Sequence, residues 1–198
     1  VFQFLHHEIR NLLREVELPL VVLEAFAALP FPAATMHVNN RKLAEGFYRG
    51  VGAADTALVL RAVDKLDKVG PDKVRAQLLE LGLTDAAADA CLALAEITAP
   101  DASFAERVQA LGVTDPLLDE GLEELVRVIE AAAAAAPGRL VADLKIARGL
   151  DYYTGTVYET TLLGHESIGS ICSGGRYDAL ASDGTTTFPG VGLSLGIT

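Results

Sequence analysis

Apolar residues recur at helical spacing near the start of the chain and again through most of its middle. The first such stretch covers 16–29, and Pro30 and Pro32 end it because proline cannot continue a helix. Thr35–Val38 alternates between apolar and polar residues and predicts a short strand. Helical spacing resumes at Lys42 and gives five further helix candidates: Val59–Val69, Pro71–Leu81, Asp85–Ala95, Ser103–Leu111 and Asp115–Ala136.

β-Branched and aromatic residues replace the helical pattern after Pro137 and Gly138. Short runs of these residues predict four strands, at Leu140–Ala147, Thr154–Leu163, Ser167–Cys172 and Val191–Ile197. Short connectors such as 164–166 predict hairpins and therefore an antiparallel sheet. The pattern as a whole predicts an α+β fold, in which a long helical stretch interrupts a sheet-containing domain.

The composition disfavours a membrane protein and a protein-held metal site. Half of the 198 residues are hydrophobic, but no apolar run approaches the ~20 residues that a membrane helix needs, and no signal peptide is visible. The two cysteines, Cys91 and Cys172, lie far apart, and the four histidines are scattered without metal-ligand spacing. Such thiols are typical of a reducing compartment, so a cytoplasmic location is expected.

The acidic charge of the chain disfavours nucleic acid as a partner. The formal net charge is −11, and 46–138 alone has 8 basic and 16 acidic residues. Binding to phosphates depends largely on Lys and Arg, which displace counterions. A small patch at Arg61, Lys65 and Lys68 lies on one predicted helical face and could contact phosphates. Because aspartates are interleaved with these residues, a solvated helix face is the simpler interpretation.

One stretch near the C-terminus, 147–159, combines residue types that suit a small anionic or aromatic ligand. Arg148 offers a fork of donors that matches a phosphate or a carboxylate. Tyr152 and Tyr153 offer hydroxyl groups at the end of flat apolar rings. The glycines on either side of the tyrosines allow the backbone to approach a ligand closely.

These residues also have plainer interpretations. Arg148 could pair with Asp143 or Asp151 at the end of a strand. Side chains alternate along a strand, so Tyr152 and Tyr153 would face opposite sides unless the strand ends there. Either tyrosine could therefore be a buried aromatic residue with a satisfied hydroxyl group.

A second cluster begins with Gly174 and Gly175 and continues with Arg176, Tyr177 and Asp178. A tight backbone at the glycines could wrap a ligand while Tyr177 supplies a further phenol. A plain Gly-Gly turn, with Tyr177 used for packing, accounts for the same residues. Arg176 and Asp178 are expected to brace this segment by pairing with each other or with neighbours.

The two clusters in this order resemble the two histidine-pocket loops of histidyl-tRNA synthetases, which are class II aminoacyl-tRNA synthetases. The glycine-alternating tail, Pro189–Thr198, resembles the strand of class II motif 3, and Asn39–Leu43 resembles a family segment just before an inserted helical domain. The resemblance extends from about residue 16 to the end. Residues 1–15, whose pattern is helical, are not placed by it.

The resemblance implies part of a class II synthetase antiparallel sheet domain that is interrupted by an all-helical insertion. Residues 1–45 would be the N-terminal part of the catalytic domain, and 46–138 the insertion. Residues 139–198 would be the C-terminal part, with the histidine-pocket loops and most of motif 3.

The resemblance also implies a function, the ATP-dependent activation of L-histidine to histidyl-adenylate and its transfer to tRNA(His). Mg²⁺ would be delivered with ATP, and the full-length protein would be a homodimer. Arg148 would be catalytic and would contact both histidine and ATP. The resemblance implies further contacts: Tyr152, Tyr153, Gly174, Gly175 and Tyr177 with histidine, Gly196 with ATP, and Arg61, Lys65 and Lys68 with the acceptor arm of tRNA.

Parts of the family pattern are missing from the sequence. It has no motif 1, no motif 2, no arginine after Thr198 and no anticodon-binding domain. The resemblance therefore implies the histidine side of a pocket without all of its ATP side, and this portion alone is expected to be inactive. Two other classes stay open: a non-catalytic histidine sensor resembling the regulatory subunit of ATP phosphoribosyltransferase, which the helical insertion disfavours, and an isolated tRNA-binding fragment, which the acidic charge disfavours.

Overall fold

The computed structural model describes residues 2–147 and 152–196, and it describes side chains from residue 13 onward. The helices of this part are α1 (Phe2–Ala27), α2 (Arg41–Gly50), α3 (Thr56–Val63), α4 (Leu66–Val69), α5 (Pro71–Glu80), α6 (Asp85–Ala95), α7 (Phe104–Ala110) and α8 (Pro116–Ala135). The strands are β1 (Ala34–Asn40), β2 (Thr98–Ala99), β3 (Leu140–Asp143), β4 (Thr156–Leu162), β5 (Cys172–Ser182) and β6 (Thr187–Leu195). The α+β class predicted from the sequence is confirmed.

All six strands of the described residues form one sheet in the order β2-β3-β1-β4-β5-β6. The expected antiparallel arrangement is wrong for one pair, because β1 and β3 run parallel. A parallel pair needs a long crossover, which α2 to α8 provide. The expected all-helical insertion is also wrong in one detail, since β2 lies within 46–138 and pairs with β3 at the edge of the sheet.

Several predicted elements have other bounds in the structure: the strand predicted at Leu140–Ala147 ends at Asp143, and the one predicted at Val191–Ile197 begins at Thr187. Two further elements differ in kind. The predicted helix Val59–Val69 is divided into α3 and α4 by a tight turn, in which the Lys65 backbone N–H donates to the Ala62 carbonyl at 3.2 Å. The predicted strand 167–172 begins instead in a short 3-10 helix, Glu166–Ile168, and continues as irregular chain up to β5. Gly169, with φ of 83°, interrupts extended backbone there, and β5 begins only at Cys172.

One face of the sheet packs against α1 and α8. Met36 and Val38 of β1 and Tyr158 of β4 point to this side and are fully buried. The buried apolar residues form a continuous cluster that includes residues of the predicted insertion. The predicted division at 45/46 and 138/139 stays a prediction. In the described part, none of the helices is long and apolar enough to cross a membrane.

Helices α2 and α8 cross with their backbones in contact. A Cβ atom on Gly46 would lie 2.1 Å from the Leu118 backbone nitrogen, and one on Gly121 would lie 2.1 Å from that of Leu43. Only glycine at both positions permits this approach. At the far end of the pair, the Arg49 guanidinium donates to both carboxylate oxygens of Asp115 at 2.6 Å. The predicted insertion is therefore fixed at its base, beside the sheet.

Candidate functional site

The face of the sheet opposite α1 and α8 has a floor of glycines under a tyrosine ring. Across β5 and β6, Tyr177 is opposite Gly190 and Gly175 is opposite Gly192, so all four residues share this face. A Cβ atom on Gly190 would lie 2.7 Å from the Tyr177 hydroxyl oxygen. The ring can therefore lie flat over the strand only because Gly190 has no side chain.

The ring of Tyr153 lies over the same floor. A Cβ atom on Gly175 would come within 2.8 Å of this ring. The Tyr153 and Tyr152 rings meet edge to face, with centroids 4.4 Å apart, and Tyr152 is 46% exposed. Burial, together with a hydrogen bond to Tyr152, raises the pKa of Tyr153 to about 12. The phenol therefore keeps its proton at neutral pH and can donate a hydrogen bond.

The tyrosines lie just before β4 rather than in a strand, since β4 begins at Thr156. The alternation that would place Tyr152 and Tyr153 on opposite faces therefore does not apply, and the turn allows their rings to meet. Gly174 and Gly175, by contrast, lie within β5, so the alternative interpretation of these residues as a plain Gly-Gly turn is wrong. Both glycines pair with β4 on one side and β6 on the other.

The segment 152–154, which carries Tyr152 and Tyr153, is held at its C-terminal end by hydrogen bonds to β5. The Thr154 backbone N–H donates to the Arg176 carbonyl at 2.9 Å, and the Thr154 hydroxyl donates to Asp178 at 2.7 Å. The Arg176 guanidinium donates to the other oxygen of Asp178 at 3.1 Å. The expected bracing by Arg176 and Asp178 is confirmed, and it acts on the segment that carries the tyrosines.

Arg176 also contacts a buried carboxylate, Glu15, that no sequence motif singles out. Glu15 is only 2% exposed and accepts hydrogen bonds from the Thr156 hydroxyl at 2.7 Å and from Arg176 at 3.1 Å. Burial raises the pKa of Glu15, although both hydrogen bonds oppose this change. The sequence does indicate that Glu15 is buried, because it falls at helical spacing from Val22 and Phe26 and so shares the apolar face of α1.

We expect Glu15→Gln to remove a pH dependence of stability. Because the folded state raises the pKa of Glu15 above its ordinary 4.5, it binds more protons than the unfolded state in the window above 4.5. The free energy of unfolding should therefore fall in this window as the pH rises toward neutrality. Urea unfolding at a series of pH values should show a smaller fall for Glu15→Gln than for the wild type.

The matched control for this prediction is Glu17→Gln, at an exposed glutamate of the same helix. It should keep the slope of the wild type. An unchanged slope in Glu15→Gln would contradict the assignment of that pH dependence to Glu15.

A cleft of about 510 Å³ separates α2 from the tyrosine segment. It is lined by Arg41, Lys42, Glu45, Leu117, 152–154 and 178–180. Burial alone would lower the pKa of Lys42, but its hydrogen bonds to Glu120 and Glu124 outweigh burial and raise it. Since these two carboxylates lie within 2.7 Å of the Lys42 ammonium, they compensate its positive charge within the cleft.

Among the described residues, Gly174 and Gly196 add no side chain to the glycine floor, although both were predicted site residues. Arg148 lies outside the described residues. Gly174 faces the helix side of the sheet, where a Cβ atom would lie 2.0 Å from the Gly192 carbonyl oxygen. A ligand on the opposite face could therefore meet only its backbone. Gly196 is exposed, and its backbone N–H donates to the Ile171 carbonyl at 2.8 Å.

The predicted phosphate-contacting patch is exposed but does not lie on one helix. Arg61 belongs to α3, Lys65 to the turn that follows, and Lys68 to α4. Asp67 lies between the two lysines along the chain and pairs with Lys145 at 3.0 Å. Among the residues that the structure describes, there is no group of three or more His, Cys, Asp or Glu side chains that could hold a metal ion.

Comparison with known proteins identifies the family. The family model described as histidyl-tRNA synthetase matches residues 9–198, so the match begins before the residue 16 inferred from the sequence. The chain is 61% identical over 189 residues to the histidine–tRNA ligase of Cutibacterium acnes and 62% identical over 186 residues to that of Micrococcus luteus. Each alignment covers 93% of this chain. The chain belongs to the histidyl-tRNA synthetase family.

Solved structures agree with this assignment. The crystal structure of histidyl-tRNA synthetase from Nostoc sp. PCC 7120 superposes with a TM-score of 0.87 at 34% identity, over 93% of this chain and 45% of that one. An ATP phosphoribosyltransferase regulatory subunit/histidyl-tRNA synthetase from Bacillus halodurans C has a TM-score of 0.74 at 18% identity, which shows the fold alone. The chain spans 42% and 40% of the two curated relatives.

Proposed function

We propose that this chain is part of an enzyme that activates L-histidine with ATP to form histidyl-adenylate and transfers the histidyl group to tRNA(His). The geometry that supports this proposal is the pair of phenols, Tyr153 and Tyr177, held over the glycine floor of β5 and β6. A flat imidazole fits beside aromatic rings, and phenol groups can hydrogen-bond its nitrogens.

The reaction requires the histidine carboxylate to attack the α-phosphate of ATP. Negative charge then builds on the phosphate oxygens, and a fixed guanidinium stabilises this charge. We assign this role to Arg148, with Tyr152, Tyr153 and Tyr177 on the histidine side of the pocket. Gly175 and the backbone of Gly174 complete that side, and Gly196 is assigned to ATP. Mg²⁺ is proposed to arrive with the ATP phosphates.

The alternative is a histidine sensor without catalysis, like the regulatory subunit of ATP phosphoribosyltransferase. Curated relatives at 55% to 62% identity are histidine–tRNA ligases, whereas the solved structure whose title names the regulatory subunit is 18% identical to this chain. The sequence relationship therefore favours the ligase. Both alternatives would bind histidine, so binding alone does not separate them.

Histidine-dependent exchange between ATP and pyrophosphate separates the two alternatives. The assay should use the full-length parent protein, because this chain has only part of the length of its relatives. Exchange that requires histidine is the expected result. Histidine binding without exchange would overturn the proposal and favour the sensor.

We expect Gly190→Ala to weaken histidine binding by the parent about tenfold, the cost of about one hydrogen bond from Tyr177. The added methyl group would lie 2.7 Å from the Tyr177 hydroxyl oxygen, so the ring must move. The KM for histidine in the exchange assay measures the effect. Tyr177→Phe is the matched comparison, since it removes the same hydroxyl group without adding a methyl group to the glycine floor.

Tyr177→Phe should raise the KM by a similar factor. An unchanged KM in Tyr177→Phe would contradict the assigned role of the Tyr177 hydroxyl group. The remaining proposals rest on family membership: the patch Arg61, Lys65 and Lys68 is proposed to contact the acceptor arm, the parent to be a homodimer, and its location to be the cytoplasm.

A further inference from the structure

Both flanks of the segment that carries Arg148 and the tyrosines are tied to one short stretch of chain, 39–41. On the near side, the Asn39 side-chain amide donates to the carbonyls of Leu144 at 3.1 Å and Ile146 at 2.9 Å. On the far side, the Arg41 backbone N–H donates to the Gly155 carbonyl at 2.8 Å. Ile146 precedes Arg148 by two positions along the chain.

The stretch 39–41 is itself held by several elements. Asn39 is 1% exposed, and its side-chain oxygen accepts a hydrogen bond from the Asn40 backbone N–H at 2.8 Å. The Asn40 side chain caps α2 through the Lys42 backbone N–H at 2.9 Å and donates to Glu124 of α8 at 2.8 Å. The stretch 39–41 is therefore held in place by β1, α2 and α8 together.

The chemistry of this contact requires an amide. The Leu144 and Ile146 carbonyls follow the end of β3, and both residues are buried. A buried carbonyl without a donor costs on the order of 1–3 kcal/mol. The two N–H groups of the Asn39 amide satisfy both carbonyls at once. A carboxylate of the same shape would instead place an oxygen against them.

We propose that Asn39 is a positioning residue, which acts on the reaction through Arg148 by fixing the chain that leads to it. The inference rests on the proposed function of the parent. Misplacement of a catalytic group by about 1 Å can cost on the order of a hundredfold in rate. Asn39→Ser, which removes both N–H groups and keeps a small polar side chain, should therefore lower kcat of histidine-dependent exchange by about tenfold to a hundredfold.

A double-mutant cycle tests whether the effect passes through Arg148. In the parent protein, Asn39→Ser should lower kcat on its own but cause no further loss in an Arg148→Ala background. The proposal would be overturned if Asn39→Ser lowered kcat in the Arg148→Ala background by the same factor as in the wild type. It would also be overturned if Asn39→Ser alone kept the full kcat. If Arg148→Ala itself leaves exchange unaltered, the assigned role of Arg148 fails and the positioning role of Asn39 fails with it.

Limited trypsin digestion gives a readout that does not depend on activity. Cleavage after Arg148 should be faster in Asn39→Ser than in the wild type under native conditions, because the hydrogen bonds of Asn39 to the preceding chain are lost. An equal rate of cleavage would overturn the proposal. Asp55→Ala is the control for a general loss of stability. It removes the N-terminal cap of α3, which should cost about 1 kcal/mol, and should leave both exchange and this cleavage unchanged.

Discussion

Gly121→Ala is expected to lower the free energy of unfolding by about 3 kcal/mol or more, because overpacking a close contact forces the backbone to move. The new methyl group would lie 2.1 Å from the Leu43 backbone nitrogen, and Gly46→Ala would create the same conflict with Leu118. Neither clash can be relieved by a side-chain rotation. Chemical denaturation of each variant, followed by circular dichroism, measures the loss.

In an exposed helix, a change from glycine to alanine stabilises by about 1 kcal/mol, so the expected sign at Gly121 is the reverse of the usual one. Glu130→Ala, at an exposed position of α8, is the matched control and should stay within about 0.5 kcal/mol of the wild type. A wild-type unfolding midpoint in Gly121→Ala would mean that α2 and α8 can separate at no cost.

Arg148→Ala is expected to lower histidine-dependent exchange by the parent about 10²-fold to 10³-fold, while histidine binding largely survives. The reason is that the guanidinium is proposed to stabilise charge that appears only in the transition state. Exchange kinetics and equilibrium dialysis with labelled histidine measure the two effects separately. Arg148→Lys should lie between the wild type and the alanine variant, since it keeps the charge but loses the planar fork.

Arg127→Ala is the control for loss of a cation elsewhere. This arginine is exposed on α8 and pairs with Glu123 within the same helix, so its removal should leave exchange unchanged. Exchange at the wild-type rate in Arg148→Ala would contradict its catalytic role. Loss of histidine binding of the same size as the loss of exchange would contradict the distinction between ground state and transition state.

The helices were largely predictable because their signal is local. The boundaries of α5, α6, α7 and α8 fall within a residue or two of the apolar periodicity, which depends on one face of each helix being buried. The extended conformation of Gly174 and Gly175 within β5, by contrast, could not be predicted from a local pattern. Glycines usually mark turns, and only pairing with β4 and β6 on both sides makes this segment a strand.

The candidate site was predictable in its residue types but not in its supports. The sequence pointed to Tyr153, Tyr177 and Gly175, which the structure brings to one face of the sheet. The hydrogen bonds of the Asn39 side chain could not be foreseen, since they join residues 105 and 107 positions apart. Contacts at such separations leave no periodic pattern. Arg148 lies outside the described residues, so its role stays a prediction.

The parallel pairing of β1 and β3 limits how far the chain between them could be shortened. A tight turn would reverse the direction of the second strand, whereas a crossover of about a dozen residues or more preserves it. The ion pair of Arg49 with Asp115 brings the end of α2 to the start of α8. A minimal version of this scaffold could therefore join those two helices by a short loop and still return to the sheet in the correct orientation.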